Sequence, residues 1–220
     1  MAGSGPHAIL TQIRERDMAR SVFGFLAKKP DPAEIRGPDH YLRLPRYGDY
    51  EQWYRLRSES RSFLQPWEPE WPRDELTEGS FRTRVVRNGQ EYASGVAMPL
   101  LVFERRSDAL LGGLTVGHIR RGAAQSCMIG YWMGVQHAGK GHMRAALSLT
   151  VHHIFEQLSL HRIEAACIAD NKISIRLLEG AGFALEGDMK AYLKINGAWR
   201  DHLLYALING SAEKNGKSEF

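Results

Sequence analysis

Residues 126–158 change from a strand pattern to a helix pattern around a glycine-bearing turn. The stretch begins with the apolar run Ser126-Cys-Met-Ile-Gly-Tyr-Trp-Met-Gly-Val135 and continues through the turn Gln136-His-Ala-Gly-Lys-Gly141. After the turn, apolar residues recur at spacings of four, four, three and four, which is one stripe of an amphipathic helix (Met143, Leu147, Val151, Ile154, Leu158). A strand, a turn and a helix therefore follow one another here.

The segments on either side of this unit predict a mixed α+β fold. Two upstream runs and the strand of the unit itself read as an antiparallel meander with polar turns between them (98–104, 109–120, 126–135). Downstream, Arg162–Ala169 predicts a strand, Ile173–Glu179 a short helix, and Asn196-Gly197 a hairpin turn between two last strands. Antiparallel strands in this order argue against a doubly wound parallel sheet.

Two further helices are expected ahead of the meander. Asp49 is expected to cap a helix that carries Trp53, Leu56, Ser60 and Leu64. The segment 66–72 contains three prolines, which remove backbone donors, so it must be a stiff connection rather than more helix. Residues 74–87 then predict a second helix.

Composition bounds the class of protein. The chain has 220 residues, of which 43% are hydrophobic and 25% charged, as in one ordinary globular domain. We expect an appendage with a short helix at 1–38, the main domain at 39–209 and a tail at 210–220. The two cysteines, Cys127 and Cys167, lie in apolar runs and are expected to be buried, reduced thiols.

Charge and hydropathy bear on partners and location. The formal charge of +4 favours anionic partners such as a cofactor phosphate or RNA, although no run of five Lys or Arg is present. Charged residues interrupt the N-terminal segment where a secretion signal would be apolar. No stretch approaches the roughly 20 apolar residues that span a bilayer. We therefore expect a cytoplasmic protein with no membrane partner.

The turn at 136–141 has the chemistry of an anion site. Free N–H groups and the helix dipole at the start of a helix favour an anion, most naturally a pyrophosphate. Gly139 and Gly141 let the backbone approach it, and Lys140 and Arg144 add positive charge. The alternative is a purely structural connection. A dinucleotide-binding turn would need a third glycine at Arg144, and a P-loop would need Lys-Ser/Thr after a longer spacer.

Two motifs together resemble the GCN5-related N-acetyltransferases (GNAT). Gln136-x-x-Gly139-x-Gly141 looks like the first signature of that family, and Asn171-x-x-Ser174 followed by Gly182-Phe183 looks like the second. Further stretches resemble the ribosomal-protein alanine N-acetyltransferases of the RimJ/RimL type (61–69, 112–114, 120–122, 199–205). Over residues 40–208, the resemblance implies the GNAT fold: a mostly antiparallel sheet of about seven strands, with one parallel splayed pair and about four helices.

The resemblance also implies the cosubstrate and the residues that bind it. Acetyl-coenzyme A would lie along a bulged strand before the turn, with its pantetheine arm held by the backbone of Met133 and Val135. The turn and helix start would hold the pyrophosphate (Gln136, His137, Ala138, Gly139, Lys140, Gly141, His142, Met143). Asn171 would contact the pantetheine from the other side, and Ser174 would lie beside its sulfur. No metal is expected, since His152 and His153 point about 100° apart on a helix.

The implied reaction is transfer of an acetyl group to an amine. The expected acceptor is the N-terminal α-amine of a protein such as a ribosomal protein, with ribosome association a further expectation. A small-molecule amine and a non-catalytic acyl-coenzyme A sensor are the alternatives. A monomer and a homodimer are both compatible with the sequence.

Amine acetylation needs an acid for the thiolate and a base for the amine. Ser174 is the first candidate acid, with Tyr131 or Tyr192 second; Ser174 could instead only bond to its own helix start. Glu68 is the candidate base, with Glu104 and His118 behind it; each could instead be an ordinary solvated or strand residue.

Overall fold

The computed structural model describes residues 34–210. The expected helix within the first 38 residues and the tail at 211–220 lie outside the described residues. The division of the chain into an appendage, a domain and a tail therefore stays a prediction.

The described residues form one open sheet with helices on both faces. Its eight strands are β1 (Ile35–Arg36), β2 (His40–Arg43), β3 (Met98–Glu104), β4 (Leu110–Arg120), β5 (Ser126–Met133), β6 (Arg162–Ile168), β7 (Ala184–Ile195) and β8 (Ala198–Ile208). The five α-helices of this part of the chain are α1 (Tyr50–Glu59), α2 (Arg61–Leu64), α3 (Glu78–Ala93), α4 (His142–Glu156) and α5 (Lys172–Gly180). The mixed α+β prediction is confirmed; the very short β1 and α2 are the elements beyond the expected number.

The sheet has the order β1-β2-β3-β4-β5-β6-β8-β7, and only the β5–β6 pair is parallel within residues 34–210. That pairing runs from Ser126 opposite Arg162 to Ile129 opposite Ala165 and then stops. Because β5 continues to Met133 and β6 to Ile168, the two strands diverge beyond this point. The splayed parallel pair is confirmed, and it opens a gap in the middle of the sheet.

Two apolar clusters cover the two faces of the sheet. Alternate residues of a strand point to opposite faces, so Leu100 and Val102 of β3 join one cluster, while Leu101 and Phe103 join the other. The first cluster includes the fully buried Leu147 and other residues of α4, together with part of α5. The second includes residues of α1 and α3. The central sheet is therefore covered on both sides, and α4 and α5 share one side.

The helices before β3 differ from the sequence prediction. Asp49 precedes α1, but its carboxylate makes no capping bond to α1; it accepts instead from both terminal nitrogens of the buried Arg43 and from the N–H of Arg46, each at 2.7 Å. The expected second helix begins at Glu78 and extends to Ala93. Its N-cap is Thr77, whose hydroxyl accepts from the N–H of Ser80. Both differences arose because a side-chain pairing with a residue six positions away and a later cap compete with the expected capping signal.

The expected bulge lies in a different strand. Residues Met128–Met133 of β5 pair with β4 without a register shift; the shift falls between Gly117 and Arg120 of β4, where His118 has a φ of 49°. Both Cys127 and Cys167 are buried free thiols, as predicted. None of the helices described is long and apolar enough to cross a membrane.

Candidate active site

A cavity of about 400 Å³ opens where β5 and β6 diverge. The end of β5, the turn after it, the first turns of α4 and α5, and the segment 63–68 form its walls. Most of the predicted site residues line it (Glu68, Tyr131, Met133, His137, Ala138, Gly139, Gly141, His142, Met143, Asn171, Ser174). Val135, Gln136 and Lys140 do not.

The edge of β5 offers an open backbone to this cavity at Met133. The N–H of Gly134 donates to the carbonyl of Leu111 on β4 at 2.9 Å. In an antiparallel ladder the bonding direction alternates from one residue to the next. The N–H and C=O of Met133 therefore point away from β4 and into the gap left by β6. An extended amide-bearing ligand can pair with them there.

Val135 is placed differently from its prediction. Its N–H donates to the hydroxyl of Ser60 at 2.9 Å, and Ser60 is fully buried between α1 and α2. This donor is therefore already satisfied. Ser60 thus anchors the start of the turn to the helices on the other face, a role that its position in an amphipathic stripe did not reveal.

The turn has the backbone geometry that its glycines permit. Gly139 and Gly141 have φ values of 74° and 83°, in the left-handed region that favours glycine. Gly141 is the N-cap of α4, so the first N–H groups of that helix point out of the turn. The side chain of Gln136 donates to Glu59 at 3.1 Å, and Lys140 faces a neighbouring groove with His142.

Three histidines meet at the turn. The Nε2 of His40 and the Nδ1 of His142 are 2.9 Å apart, and the rings of His137 and His142 have centroids 6.2 Å apart. Burial lowers the pKa of His40, and His142 lowers it further. Burial also lowers the pKa of His137, with smaller contributions from His142 and Lys140. His40 and His137 are therefore neutral at pH 7 and can gain a proton when an anion arrives.

A pair of hydroxyl groups lies deeper in the cavity. The Tyr131 hydroxyl and the Ser174 Oγ are 2.6 Å apart. Burial raises the pKa of Tyr131 to about 12, although the hydrogen bond with Ser174 partly offsets this effect. The N-cap of α5 is Asn171, whose Oδ1 accepts from the N–H of Ser174 at 3.0 Å. The Ser174 hydroxyl is therefore not needed as a cap, and Tyr131 keeps its proton at neutral pH.

A carboxylate held in place lies at the mouth of the cavity. Arg57 donates to both oxygens of Glu68, at 2.7 and 2.8 Å, and the indole N–H of Trp71 donates to one of them at 2.7 Å. The buried guanidinium lies between the rings of Trp71 and Trp132, 4.2 and 4.9 Å from their centroids. Glu68 is thus an oriented carboxylate rather than a freely solvated one.

The segment that carries Glu68 is also fixed from the opposite side. The N–H of Asn196, in the β7–β8 turn, donates to the carbonyl of Glu68 at 2.9 Å. Gln65 donates to the side chain of Asn196 at 3.2 Å. The hairpin and α1 therefore hold one wall of the cavity between them. Sequence spacing gave no signal for these contacts, because they join residues 128 and 131 positions apart.

The secondary candidates lie elsewhere. Glu104 bonds with the Ser107 hydroxyl and faces the neighbouring groove. His118 lies in the β4 bulge, and the Tyr192 hydroxyl approaches Met128 Sδ at 3.9 Å. None of the three lines the cavity. Among the residues that the structure describes, no group of three His, Cys, Asp or Glu side chains could hold a metal ion.

The parts of the cavity match the parts of an acyl-coenzyme A molecule. The open edge at Met133 suits the amides of a pantetheine arm, the start of α4 suits a pyrophosphate, and the hydroxyl pair suits a departing thiolate. Fold and site together define an acyl-coenzyme A dependent transferase.

Comparisons with known proteins agree with this class. The model of the acetyltransferase (GNAT) domain matches residues 40–184. The ribosomal protein uS5-alanine N-acetyltransferase of Escherichia coli (strain K12) is 33% identical over 189 residues, covering 84% of this chain and 95% of that protein. The ribosomal-protein-serine acetyltransferase of the same strain is 30% identical over 155 residues, covering 70% of this chain and 84% of that protein.

A solved structure shows the same fold in a coenzyme A complex. RimJ of Mycobacterium smegmatis, in complex with CoA-disulfide, has a TM-score of 0.74 and 35% identity, covering 81% of this chain and 85% of that one. The chain therefore belongs to the GNAT acetyltransferase family, in its RimJ/RimL-type branch. It is an acyltransferase, and its cosubstrate is acetyl-coenzyme A.

Proposed function

We propose that this enzyme acetylates the N-terminal α-amine of a protein, with a ribosomal protein as the leading candidate. The carrying observation is the oriented Glu68 carboxylate at the mouth of a cavity whose depth holds the Tyr131–Ser174 pair. The named relatives that act on ribosomal-protein alanine and serine support the acceptor class.

The acceptor side suits a chain terminus. Phe63, Leu64 and Trp67 line the cavity next to Glu68, so an apolar surface adjoins a carboxylate. An ionised carboxylate has about four acceptor positions, and Arg57 and Trp71 use three of them on Glu68. The remaining position can accept an N–H from an incoming amine. One carboxylate beside an apolar surface fits a single amine followed by an extended chain.

The chemistry follows from these placements. The neutral amine nitrogen attacks the thioester carbonyl, a C–N bond forms, and the C–S bond breaks. The amine proton leaves by way of Glu68 or water, and the thiolate takes a proton from the Tyr131–Ser174 pair. The open N–H of Met133 on the β5 edge stabilises the transient oxyanion. The proton that the amine gives up replaces the one that the pair donated, so the products are an acetylated N-terminus and coenzyme A thiol.

The test compares acceptors at equal concentration with acetyl-coenzyme A. We expect turnover on peptides that begin with alanine or serine, detected by mass spectrometry of the peptide. The matched control is the same peptide with a formylated N-terminus and an internal lysine, which should stay unmodified. Polyamines and aminoglycosides form the third arm. Acetylation of these small amines alone would overturn the protein-substrate proposal.

A further inference from the structure

Two arginines on the α4–α5 side of the cavity have no partner among the residues that the structure describes. Arg144 lies in the first turn of α4 and Arg176 in the second turn of α5, and both side chains line the cavity. Neither forms a hydrogen bond or an ion pair with any other residue in the range 34–210. Both are exposed to solvent. They are therefore free to bind an anionic group.

The two side chains converge although they come from different helices. The Nη2 of Arg144 lies over Gly180, only 2.7 Å from the position that a Cβ would occupy there. Arg176 and Gly180 are four residues apart on α5, so they lie on the same face of that helix. The Arg144 guanidinium therefore lies within about one helical turn of Arg176. Two cations so placed repel each other unless an anion lies between them.

Coenzyme A carries an anion beyond its pyrophosphate. The ribose bears a 3′-phosphate, a monoester with close to two negative charges at neutral pH. The N–H groups at the start of α4 already suit the pyrophosphate, and Met133 suits the pantetheine arm on the β5 side. An adenosine that continues from the pyrophosphate past the start of α4 would reach the side of the cavity that Arg144 and Arg176 line.

We propose that Arg144 and Arg176 bind the 3′-phosphate of acetyl-coenzyme A and make the enzyme selective for it over the dephospho form. Arginine suits this role because its planar fork donates two parallel hydrogen bonds to a phosphate. Gly180 contributes by leaving space for the Arg144 guanidinium. The inference rests on acyl-coenzyme A binding alone and is independent of the acceptor.

Calorimetric titration of the full chain without acceptor tests this assignment. The ligands are coenzyme A and dephospho-coenzyme A, and the variants are Arg144→Gln, Arg176→Gln and the double variant. The matched control is Arg55→Gln, since Arg55 is an exposed helical arginine outside the cavity. Binding of dephospho-coenzyme A by each variant also reports that the site is folded.

We expect each single substitution to weaken coenzyme A binding about tenfold, the lower end for a charge-assisted bond that solvent screens. Binding of dephospho-coenzyme A should change less than about twofold, and the double variant should bind the two ligands equally. The wild-type preference should also shrink at high ionic strength. Equal losses on both ligands, or no loss on coenzyme A, would overturn the proposal. Because no acceptor is present, the result is separate from the outcome of the peptide assay.

Discussion

Replacing Tyr131 with phenylalanine tests whether the buried hydroxyl pair protonates the departing thiolate. The change removes one oxygen, 2.6 Å from Ser174 Oγ, and leaves the ring in its place. General acid catalysis contributes about 10²–10⁴-fold. A thiol has a pKa of about 8.5, so its thiolate leaves without much help, and the lower end of that range applies. We therefore expect kcat to fall about 100-fold, with KM for acetyl-coenzyme A nearly unchanged.

The loss of activity can be separated from a loss of stability. A hydrogen bond between neutral groups contributes about 1 kcal/mol, which lowers the Tm of a domain of this size by about 2–4 °C. A 100-fold loss in kcat corresponds to about 2.7 kcal/mol in the barrier, so the catalytic effect exceeds the structural one. Coenzyme A release at saturating acetyl-coenzyme A and peptide measures kcat, and calorimetry measures Tm.

The Ser174→Ala variant and the double variant complete the test. If the two hydroxyls act as a unit, the double variant should lose about as much kcat as either single variant. Because the pKa of Tyr131 is raised to about 12, its titration should not reduce activity below about pH 10. If Tyr131→Phe retains more than half of the wild-type kcat, the proton does not pass through this hydroxyl.

Three further perturbations examine the base, the turn and the histidines. Glu68→Gln should lower kcat on the peptide by about 100-fold but leave coenzyme A affinity intact in calorimetry; a weakened affinity would mean that the wall itself has moved. Gly141→Ala, at a φ of 83°, should cost about 1–2 kcal/mol in denaturant unfolding and weaken coenzyme A binding, whereas unchanged binding would show that another conformation serves equally well. We expect the lowered pKa of His137 to rise when the pyrophosphate binds, so that the complex holds more protons than the free protein. The affinity for coenzyme A should therefore increase as the pH falls from about 7.5 to about 6. The His137→Asn variant should show a weaker dependence of this affinity on pH. If affinity is unchanged by pH in the wild type, the ring does not sense the phosphate.

The geometry of the turn and of the α5 cap was predictable because its signals are local. The left-handed Gly139 and Gly141, the α4 start that follows them, and the Asn171 cap of α5 depend on residues a few positions apart. Val135 differs: the pattern assigned its backbone to the cofactor, yet a distant hydroxyl at Ser60 accepts from its N–H. Local spacing specifies a turn, but it does not show which of its donors the rest of the chain will use.

The acceptor half depends on contacts that no spacing encodes. Arg57 follows Leu56 on α1, and in a helix pattern an arginine there predicts a solvated position. It is buried because Trp71 and Trp132, from a connection and a strand, enclose its guanidinium. Only the assembled sheet brings these rings together. The orientation of Glu68 was therefore beyond a sequence argument, although its place on the stiff proline segment was not.

The hydrogen bonds that Glu68 already accepts also affect which amine this enzyme can use. With three of about four acceptor positions taken, the carboxylate can hold an amine by one hydrogen bond. The supply of neutral nucleophile then depends largely on the pKa of the amine itself.

At pH 7 about one in ten α-amines is neutral, against about one in 2,500 lysine side chains, from pKa values of about 8 and 10.4. The rate on an N-terminal peptide should therefore exceed that on a lysine peptide by about 100-fold or more. This ratio should narrow as the assay pH approaches 10, because the neutral fraction of lysine rises while that of the α-amine is already saturated. If lysine peptides react as fast as N-terminal ones at pH 7, a stronger base than Glu68 must serve the site.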